Sequence, residues 1–312
     1  MIERLESDAV SGDDPSTEDR WPIKRLLSWT ADRLKKRGLE SPRLDAEVLL
    51  AHSLGWDRVK LYTRFDQEVG PPERAKFREL IKRRLLDEPV AYLVGRKEFF
   101  SLPFAVSPAV LIPRPDSEFV VVAFIDAFKD AKNVRAVDVG TGSGCLALAC
   151  LANHPAARFW ATDASEDALT TAESNAKTLK LHARVEFRLG NLLDPVEADA
   201  PFDAIVSNPP YIPTKDLDLL DPCVRDHEPR LALDGGPDGL KVINRLIAQA
   251  APLLAPGGRL FLEIGAGQDE AVREILGKRP DLEWIKCDRD HSGIPRVVHA
   301  KKRGCSGSFV IG

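Results

Sequence analysis

The sequence predicts an α/β protein with a mostly parallel, doubly wound sheet and a smaller helical domain in front of it. Beyond Arg114, short apolar runs with strand character alternate with helical segments, which is typical of such sheets. A glycine-rich turn at residues 140–144 follows the first of these strands. In residues 21–86, by contrast, apolar side chains recur at helical spacing.

The composition is that of an ordinary globular chain without a dominant charge. The chain carries 44 Lys and Arg against 48 Asp and Glu, a net charge of −4, which provides no basic field for duplex DNA. No stretch approaches the roughly 18 to 20 apolar residues of a membrane span. The five cysteines form no C-x-x-C pair and the histidines lack metal-binding spacing. We therefore expect a cytoplasmic protein that holds no metal and does not bind a membrane, and the charge disfavours a nucleic acid as its partner. We also expect a monomer.

Composition and periodicity divide the chain into four segments. Residues 1–20 are acidic and poor in apolar side chains, so we expect a disordered leader. Residues 21–90 predict a helical domain, residues 91–113 a β-hairpin linker, and residues 114–312 the sheet domain. A length of 312 residues suits this combination of one small and one large domain.

Three helices are predicted in the first domain. Gly38 and Gly55 stand where the first two helices should end, and Pro42 stands in the first turn of the second. The third helix, residues 73–86, is strongly basic. Its basic side chains either form a solvated face or dock an acidic partner or ribosomal RNA, and the sequence leaves both readings open.

The predicted strands are short and bounded by turn residues. The linker contains three β runs, at residues 98–100, 104–106 and 110–112. The sheet domain contains five strands and then a final antiparallel pair, at residues 136–139, 159–162, 185–188, 204–207 and 258–264, followed by 284–287 and 296–300.

The glycine-rich turn is a candidate ligand site. It reads Gly140, Thr141, Gly142, Ser143 and Gly144. Glycines let the backbone approach a ligand closely, and the N–H groups of the helix that follows point at it. Cys145 stands where a dinucleotide fingerprint needs its third glycine. The spacing therefore disfavours a pyrophosphate and suits a nucleoside that carries an amino-acid tail.

Residues at the ends of the next two strands are candidates for the same ligand. Asp163 could accept hydrogen bonds from both ribose hydroxyls, or it could serve only the start of the following helix. After the third strand, Asn191 could bond an adenine amino group and Leu192 could pack on the ring. A turn asparagine without a ligand role is the alternative for Asn191.

The tetrapeptide Asn208, Pro209, Pro210 and Tyr211 follows the fourth strand at its carboxyl end, where such sheets build their sites. Prolines keep this segment extended and lack N–H donors, so carbonyl oxygens stay free for a ligand. A substrate NH2 group could donate to Asn208 Oδ1 and to the Pro209 carbonyl while Tyr211 stacks on it. The nitrogen lone pair is then directed at a methyl donor. We predict that Asn208, Pro209 and Tyr211 are catalytic, that all four residues hold the substrate, and that Asn208 also borders the cofactor.

Longer motifs run through nearly the whole chain after residue 21. They include S-P-R-L-D-A-E-V-L-L-A-H from Ser41, E-P-V-A-Y-L-V-G from Glu88, V-D-V-G-T-G-S-G-C from Val137, V-S-N-P-P-Y-I from Val206, L-A-L-D-G-G-P-D-G-L from Leu231 and F-L-E-I-G-A-G-Q from Phe261. In these motifs the chain resembles the HemK-type family, the release factor glutamine-N5 methyltransferases, also called the PrmC family.

The resemblance implies a class I S-adenosylmethionine-dependent methyltransferase fold behind a helical, substrate-docking domain. It also implies S-adenosyl-L-methionine as the methyl donor, and as the acceptor the glutamine of the Gly-Gly-Gln motif of peptide chain release factors. By position, the 140–144 turn, Asp163 and residues 190–192 would hold the cofactor, and residues 208–211 the glutamine amide. The chain departs from the family in reading P-R-P-D-S-E at residues 113–118, and in having Leu192 where a ring is usual.

The tetrapeptide by itself leaves the acceptor open. An adenine-N6 or guanine-N2 nucleic-acid methyltransferase would present the same planar NH2 group, although the sheet domain lacks a long basic run and a target-recognition insertion. A third hypothesis is a cofactor-binding regulator without activity, and the intact tetrapeptide argues against it.

Three charged residues near the predicted site have two readings each. Arg114 and Glu118 could order a lid or pair with each other, or they could only supply the electrostatics of a helix start. Glu263, at the end of the fifth strand, could orient the tetrapeptide or have only a structural duty.

Overall fold

The computed structural model describes residues 20–304. The chain divides into two compact units, of which the first ends at Val94 and the second begins at Gly95. The leader expected at residues 1–20 lies, except for Arg20, outside the described residues.

Five helices make up the described part of the first unit. They are Ile23–Arg37 (α1), Pro42–Leu54 (α2), Arg58–Thr63 (α3), Pro71–Arg84 (α4) and Val90–Val94 (α5). The three longest are the helices predicted from the sequence, and α1 and α2 end at Gly38 and Gly55 as expected. One apolar cluster, which includes Leu27, Leu49 and Phe77, holds them together.

Polar contacts add specificity to this helical unit. Asp45 on α2 and Arg84 on α4 form a buried ion pair, with 2.8 Å between Asp45 Oδ2 and Arg84 Nε. Of the other basic residues of α4, Lys82 pairs with Glu79 and Arg83 with Glu88. Part of the basic run is thus engaged within the unit, and a docking role for the remainder stays a prediction.

The second unit opens with a two-stranded hairpin formed by Arg96–Phe99 (β1) and Leu102–Ala105 (β2). The sequence predicts a separate linker at residues 91–113, whereas in the structure the hairpin belongs to the unit that begins at Gly95. The β run expected at residues 110–112 was wrong. Val110 and Ile112 are buried, but the Ile112 N–H donates to the Glu228 side chain rather than to a strand.

A seven-stranded sheet forms the centre of the second unit. Its strands are Val134–Val139 (β3), Ala157–Asp163 (β4), Val185–Leu189 (β5), Phe202–Ser207 (β6), Leu254–Glu263 (β7), Leu282–Arg289 (β8) and Pro295–Lys302 (β9). They lie in the order β5-β4-β3-β6-β7-β9-β8, with β9 antiparallel to both neighbours. This confirms the mostly parallel sheet and the antiparallel pair at the end of the chain.

Helices cover both faces of this sheet. They are Glu118–Phe128 (α6), Cys145–Asn153 (α7), Glu166–Thr178 (α8), Lys241–Leu253 (α10) and Asp269–Gly277 (α11), and a short helix, Pro222–Arg225 (α9), lies in the loop after β6. Successive strand residues point to opposite faces: Ala136 packs in a cluster with α6 and α7, and Val137 in a second cluster with α10 and α11.

The strand order reverses at β3, which pairs with β4 on one side and β6 on the other. In sheets of this kind, ligands bind outside the carboxyl ends of the strands at such a reversal point. The glycine-rich turn and the tetrapeptide follow β3 and β6 directly. Both predicted site segments are therefore brought to the same end of the sheet.

Among the helices described between residues 20 and 304, none combines the length and apolar character needed to cross a membrane.

The buried ion pair yields a test of how the first unit is held together. Asp45→Ala leaves the Arg84 guanidinium without its carboxylate, and losing one partner of a buried pair costs about 3 kcal/mol. Urea unfolding followed by tryptophan fluorescence should show this loss in the first unit, which holds Trp21, Trp29 and Trp56.

The matched control is the exposed pair between Lys24 and Asp66, at 2.6 Å. Asp66→Ala should cost less than about 1 kcal/mol, because water screens exposed charges. Equal losses in the two variants would contradict the importance assigned to the buried pair.

Candidate active site

The glycine-rich turn is fixed to the sheet by backbone hydrogen bonds. The N–H groups of Gly140 and Thr141 both donate to the carbonyl of Thr162 on β4, at 2.9 and 3.0 Å. A Cβ added at Gly140 or Gly142 would meet nothing within 4 Å, so this part of the turn borders open space. Gly144 is different: with φ +81°, its Cβ would lie 3.2 Å from Ala172 Cβ on α8. The absence of a side chain at Gly144 therefore lets the start of the next helix, at Cys145, lie close to Ala172.

Asp138, the residue before the last of β3, is a site candidate that the sequence analysis missed. It is fully buried, and its Oδ2 accepts hydrogen bonds from Thr141 Oγ1 at 2.7 Å and from the Ala147 N–H at 3.1 Å. Its Oδ1 has no hydrogen-bond partner among the described residues. Burial raises the pKa of this carboxyl to about 7. An acidic residue just before a glycine turn was the signal available in the sequence.

Asp163 closes β4 beside the turn. Its Oδ2 accepts the Gly142 N–H and its Oδ1 accepts the Ser165 N–H, both at 2.9 Å. The N-cap of α8 is Ser165, whose hydroxyl accepts the Ala168 N–H, so the reading of Asp163 as the cap was wrong. Desolvation raises the pKa of Asp163 above its ordinary value. Each oxygen retains acceptor capacity, because a carboxylate offers about four lone-pair positions.

The segment after β5 is held against the end of β4. Thr162 Oγ1 donates to the Leu192 carbonyl at 2.8 Å, and Leu192 has a left-handed backbone with φ 52°. The exposed Asn191 makes a long contact of 3.4 Å from its Nδ2 to Asp194. These contacts place residues 190–192 next to Asp163, which is the proximity that the sequence analysis expected.

Asn208 begins the tetrapeptide directly after β6. The neighbouring Ser207 hydroxyl donates to the Val139 carbonyl at 2.7 Å, which ties the end of β6 to the end of β3. The Asn208 Nδ2 donates to Ser117 Oγ at 3.0 Å. Within the described chain, its Oδ1 receives no hydrogen bond. The amide oxygen of Asn208 is therefore available as an acceptor.

Ser117 connects Asn208 to a buried carboxyl. Its hydroxyl is hydrogen-bonded to the side chain of Glu263, which is 1% exposed at the end of β7. The Glu263 Oε2 lacks a hydrogen-bond partner in the part of the chain that the structure describes. Burial raises the pKa of Glu263 to about 7, although the Ser117 hydrogen bond acts in the opposite direction. The contact of Glu263 with the tetrapeptide is thus indirect, through one hydroxyl.

Tyr211 is held by a loop that the sequence analysis had quoted only as a motif. The Tyr211 carbonyl accepts a hydrogen bond from Gln268 Nε2 at 3.0 Å. A Cβ at Gly239 would lie 2.3 Å from that carbonyl oxygen, and one at Gly235 would lie 2.8 Å from Tyr211 Cα. Burial raises the pKa of the phenol to about 12, so it stays protonated at neutral pH. The glycines of residues 235–239 therefore make room for the tetrapeptide.

Of the alternatives considered for Arg114 and Glu118, the pairing of the two with each other was wrong. Arg114 pairs with the buried Glu228, at 2.6 Å from Nη2 to Oε1, and the same carboxylate accepts the Ile112 N–H. Glu118 instead accepts the Phe100 N–H at 2.8 Å from the start of α6. Arg114 thereby ties the segment before α6 to the loop that follows the tetrapeptide.

Two family models match the chain, one in each unit. The PrmC N-terminal domain matches residues 25–95, and the methyltransferase small domain matches residues 122–278. A release factor glutamine methyltransferase of Rhodopirellula baltica is 42% identical over 92% of this chain and 98% of the relative. One from Moorella thermoacetica is 46% identical over 90% of this chain and 99% of the relative.

The chain belongs to the release factor glutamine methyltransferase family. The resemblance noted in the sequence is therefore confirmed. The solved catalytic domain of hMettl16, in complex with an RNA hairpin, aligns with a TM-score of 0.52 over 72% of this chain and 82% of that one. At 16% sequence identity this likeness shows the fold alone, which is the predicted class I methyltransferase fold.

Three segments at the ends of neighbouring strands make up the candidate site. The 140–144 turn with Asp138 and Asp163, the 190–192 segment and the tetrapeptide lie around the reversal of strand order. They bring backbone N–H groups, two carboxyls and two amide-type acceptors to the same end of the sheet. These are the kinds of group that bind a polar nucleoside and a planar NH2 group.

The support of Tyr211 can be tested with one glycine. Gly239→Ala would force its Cβ against the Tyr211 carbonyl at 2.3 Å and against Gln268 Nε2 at 2.8 Å, so the tetrapeptide must shift. Since displacement of about 1 Å can cost up to about 100-fold in rate, we expect kcat for methyl transfer to fall about 10- to 100-fold.

Gly267→Ala is the control for backbone strain. Gly267 has φ +79° against +76° for Gly239, but a Cβ there meets nothing within 4 Å. Both variants carry the cost of a left-handed alanine, and Gly239→Ala should melt at a lower temperature because of its added backbone clash, but only Gly239→Ala should lose activity. A similar loss of activity in both would show that strain, and not contact with Tyr211, is responsible.

Glu263 should reduce stability as the pH rises. The folded state holds its proton up to about pH 7, whereas the unfolded chain releases it near the ordinary pKa of 4.5. The folded state therefore binds more protons over that window, and its free energy of unfolding falls with increasing pH. A glutamine at this position does not titrate. At pH 8 the free energy of unfolding of Glu263→Gln should therefore exceed that of wild type by on the order of 3 kcal/mol, at about 1.4 kcal/mol per pKa unit.

Thermal melts of both proteins at a series of pH values measure this difference. The gain should vanish at about pH 4, below both pKa values. A difference that stays constant with pH would contradict a raised pKa for the buried carboxyl.

Proposed function

We propose that this chain transfers a methyl group from S-adenosyl-L-methionine to the side-chain amide nitrogen, N5, of a glutamine. The acceptor is the glutamine of the Gly-Gly-Gln motif of peptide chain release factors. The observation that carries the proposal is the Asn208 amide, anchored through its nitrogen to Ser117 and left with its oxygen available next to the glycine-rich turn. Membership in the release factor glutamine methyltransferase family supports the same substrate.

The residues around the turn fit this cofactor. The orphaned, buried Oδ1 of Asp138 suits the ammonium group of an amino-acid tail, since a buried carboxylate oxygen without a donor is costly. Asp163 retains acceptor positions for two ribose hydroxyls. S-adenosylmethionine supplies an activated methyl group on a sulfonium. We assign cofactor binding to Gly140, Thr141, Gly142, Ser143, Gly144, Asp163, Asn191, Leu192 and Asn208, and add Asp138 to them.

The tetrapeptide would hold the glutamine amide. Its two N–H bonds would donate to Asn208 Oδ1 and to the Pro209 carbonyl, and the Tyr211 ring offers a flat face for the amide plane. Pro210 keeps Pro209 extended. Positive charge develops on the nitrogen during transfer, and each fixed acceptor stabilises it by ~3 kcal/mol. The same hydrogen bonds direct the lone pair outward, so no base is needed before attack; the N–C bond would form as the C–S bond of the donor breaks, and the nitrogen would then release one of its protons to solvent.

The nucleic-acid alternative is not favoured by the family. The relatives named above are release factor glutamine methyltransferases. With a net charge of −4, the whole chain also provides no general phosphate-binding field. We therefore take a protein amide as the acceptor and place the reaction in the cytoplasm, where release factors act.

Transfer of a labelled methyl group distinguishes the two acceptors. With methyl-labelled S-adenosylmethionine, label should enter a release factor, and replacing the glutamine of its Gly-Gly-Gln motif should remove the labelling. Label that enters duplex oligonucleotides but not the release factor would rule out the proposed function.

Asn208→Ala is the matching variant of the enzyme. Because it removes one fixed acceptor, turnover should fall by at least about 100-fold. Cofactor affinity, measured by calorimetry, should fall far less than turnover, because Asn208 only borders a cofactor that the glycine turn and Asp163 are proposed to hold. Ser207→Ala, which removes a neighbouring hydroxyl but leaves the amide, should lose far less activity. Equal loss of turnover and cofactor affinity in Asn208→Ala would show that its role has been misassigned.

A further inference from the structure

We propose that Glu263 is a positioning residue that determines which end of the Asn208 amide faces the substrate. The inference rests on the proposed function, in which the Asn208 oxygen accepts a hydrogen from the glutamine amide. It concerns a group that does not touch the substrate and acts through Ser117.

An asparagine amide can present either of its ends. The oxygen accepts hydrogen bonds and the NH2 group donates them, and rotation by a half turn exchanges the two. The prolines fix the backbone of the tetrapeptide but leave this side-chain choice open. Ser117 does not decide it either, because a hydroxyl can donate one hydrogen bond and also accept.

The carboxylate of Glu263 resolves this ambiguity. An ionised carboxylate can only accept, so Ser117 must use its single hydrogen for the bond to Glu263. The Ser117 oxygen is then left as an acceptor, and it takes a hydrogen from Asn208 Nδ2 at 3.0 Å. With its nitrogen engaged, Asn208 must turn its oxygen toward the open side, where the substrate NH2 group needs an acceptor.

Protonation of Glu263 removes this constraint on the Ser117 hydroxyl. A neutral carboxyl can donate to Ser117, whose hydrogen is then free to bond the Asn208 oxygen instead. Asn208 would in that case present its NH2 group to the NH2 group of the substrate, and two donors do not bond. The productive orientation therefore requires the ionised form of Glu263.

The surroundings of Glu263 place this switch near neutral pH. Desolvation raises the pKa of the carboxyl to about 7 at 1% exposure. Nearby charges partly cancel: Asp116 raises the pKa further, whereas Arg296 and Arg114 lower it. The titratable and charged groups that interact with Glu263 are Asp116, Arg296, Arg114, Tyr211 and Cys145.

The test is the pH dependence of methyl transfer to a release factor between about pH 5.5 and about pH 9, at saturating S-adenosylmethionine so that titration of Asp138 in the free enzyme does not contribute. For wild type, kcat/KM should fall about tenfold per pH unit below about pH 7. Glu263→Gln should remove this acidic limb, because its side chain does not titrate in this range. Ser117→Ala should remove it as well, since the carboxyl is then disconnected from Asn208.

The variants also separate positioning from folding. In Ser117→Ala, kcat should fall about 10- to 100-fold while KM for the release factor changes less than about threefold, because docking persists and only the amide is misplaced. Ser117→Thr retains the hydroxyl and should restore both the rate and the acidic limb. Ser207→Ala removes a buried hydroxyl that is bonded to Val139 and should keep the limb.

The result that would overturn the inference is an acidic limb that survives unchanged in Glu263→Gln or Ser117→Ala; a group other than Glu263 would then be titrating. Loss of the limb in Ser207→Ala as well would also overturn it. Wild-type protein that does not label the glutamine contradicts the proposed function instead, so the two failures are distinguishable.

Discussion

The pairing of β3 with β4 on one side and β6 on the other is the constraint on which the proposed site depends. Two contacts close this junction: the Thr162 carbonyl accepts the N–H groups of Gly140 and Thr141, and the Ser207 hydroxyl donates to the Val139 carbonyl. Because the strands are parallel, their carboxyl ends lie together, and a ligand at one is in reach of the others. The apolar clusters on both sheet faces fix the pairing, so core packing also sets the geometry of the site.

Two buried carboxyls at this end of the sheet set function against stability. Asp138 and Glu263 are each essentially inaccessible, each has one oxygen without a hydrogen-bond partner among residues 20–304, and burial raises the pKa of each to about 7. An apolar or amide side chain would avoid that desolvation cost. In the proposed mechanism, Asp138 beside the glycine turn supplies an oriented acceptor for the cofactor, and Glu263 behind Ser117 directs the hydrogen bond of Asn208. Strained electrostatics of this kind are characteristic of functional sites.

The sequence predicted those features that depend on local pattern. The strands, the glycine turn and the helix ends at Gly38 and Gly55 follow from periodicity and turn chemistry within a few residues. Residues 110–112 were wrongly predicted as a strand, because an irregular buried segment can have the same apolar composition as a strand. The partners of Arg114 and Tyr211 could not be predicted from the sequence, because Glu228 and Gln268 lie 114 and 57 residues away along the chain. Contacts of this kind depend on tertiary packing, and a local sequence pattern carries no information about them.

The same distinction between local and tertiary information applies to the two acceptors proposed to hold the substrate NH2 group, which we call the amide clamp. One of its two acceptors, the Pro209 carbonyl, belongs to the backbone, and the adjoining proline fixes its direction within the tetrapeptide. The other, Asn208 Oδ1, sits on a rotatable side chain, and its direction comes from Ser117 at the start of α6 and Glu263 at the end of β7. A short N-P-P-Y motif therefore encodes only half of the clamp. In this proposal the remainder is supplied by an acceptor-only group behind the asparagine, and Glu263, buried and bonded to Ser117, is placed to be that group.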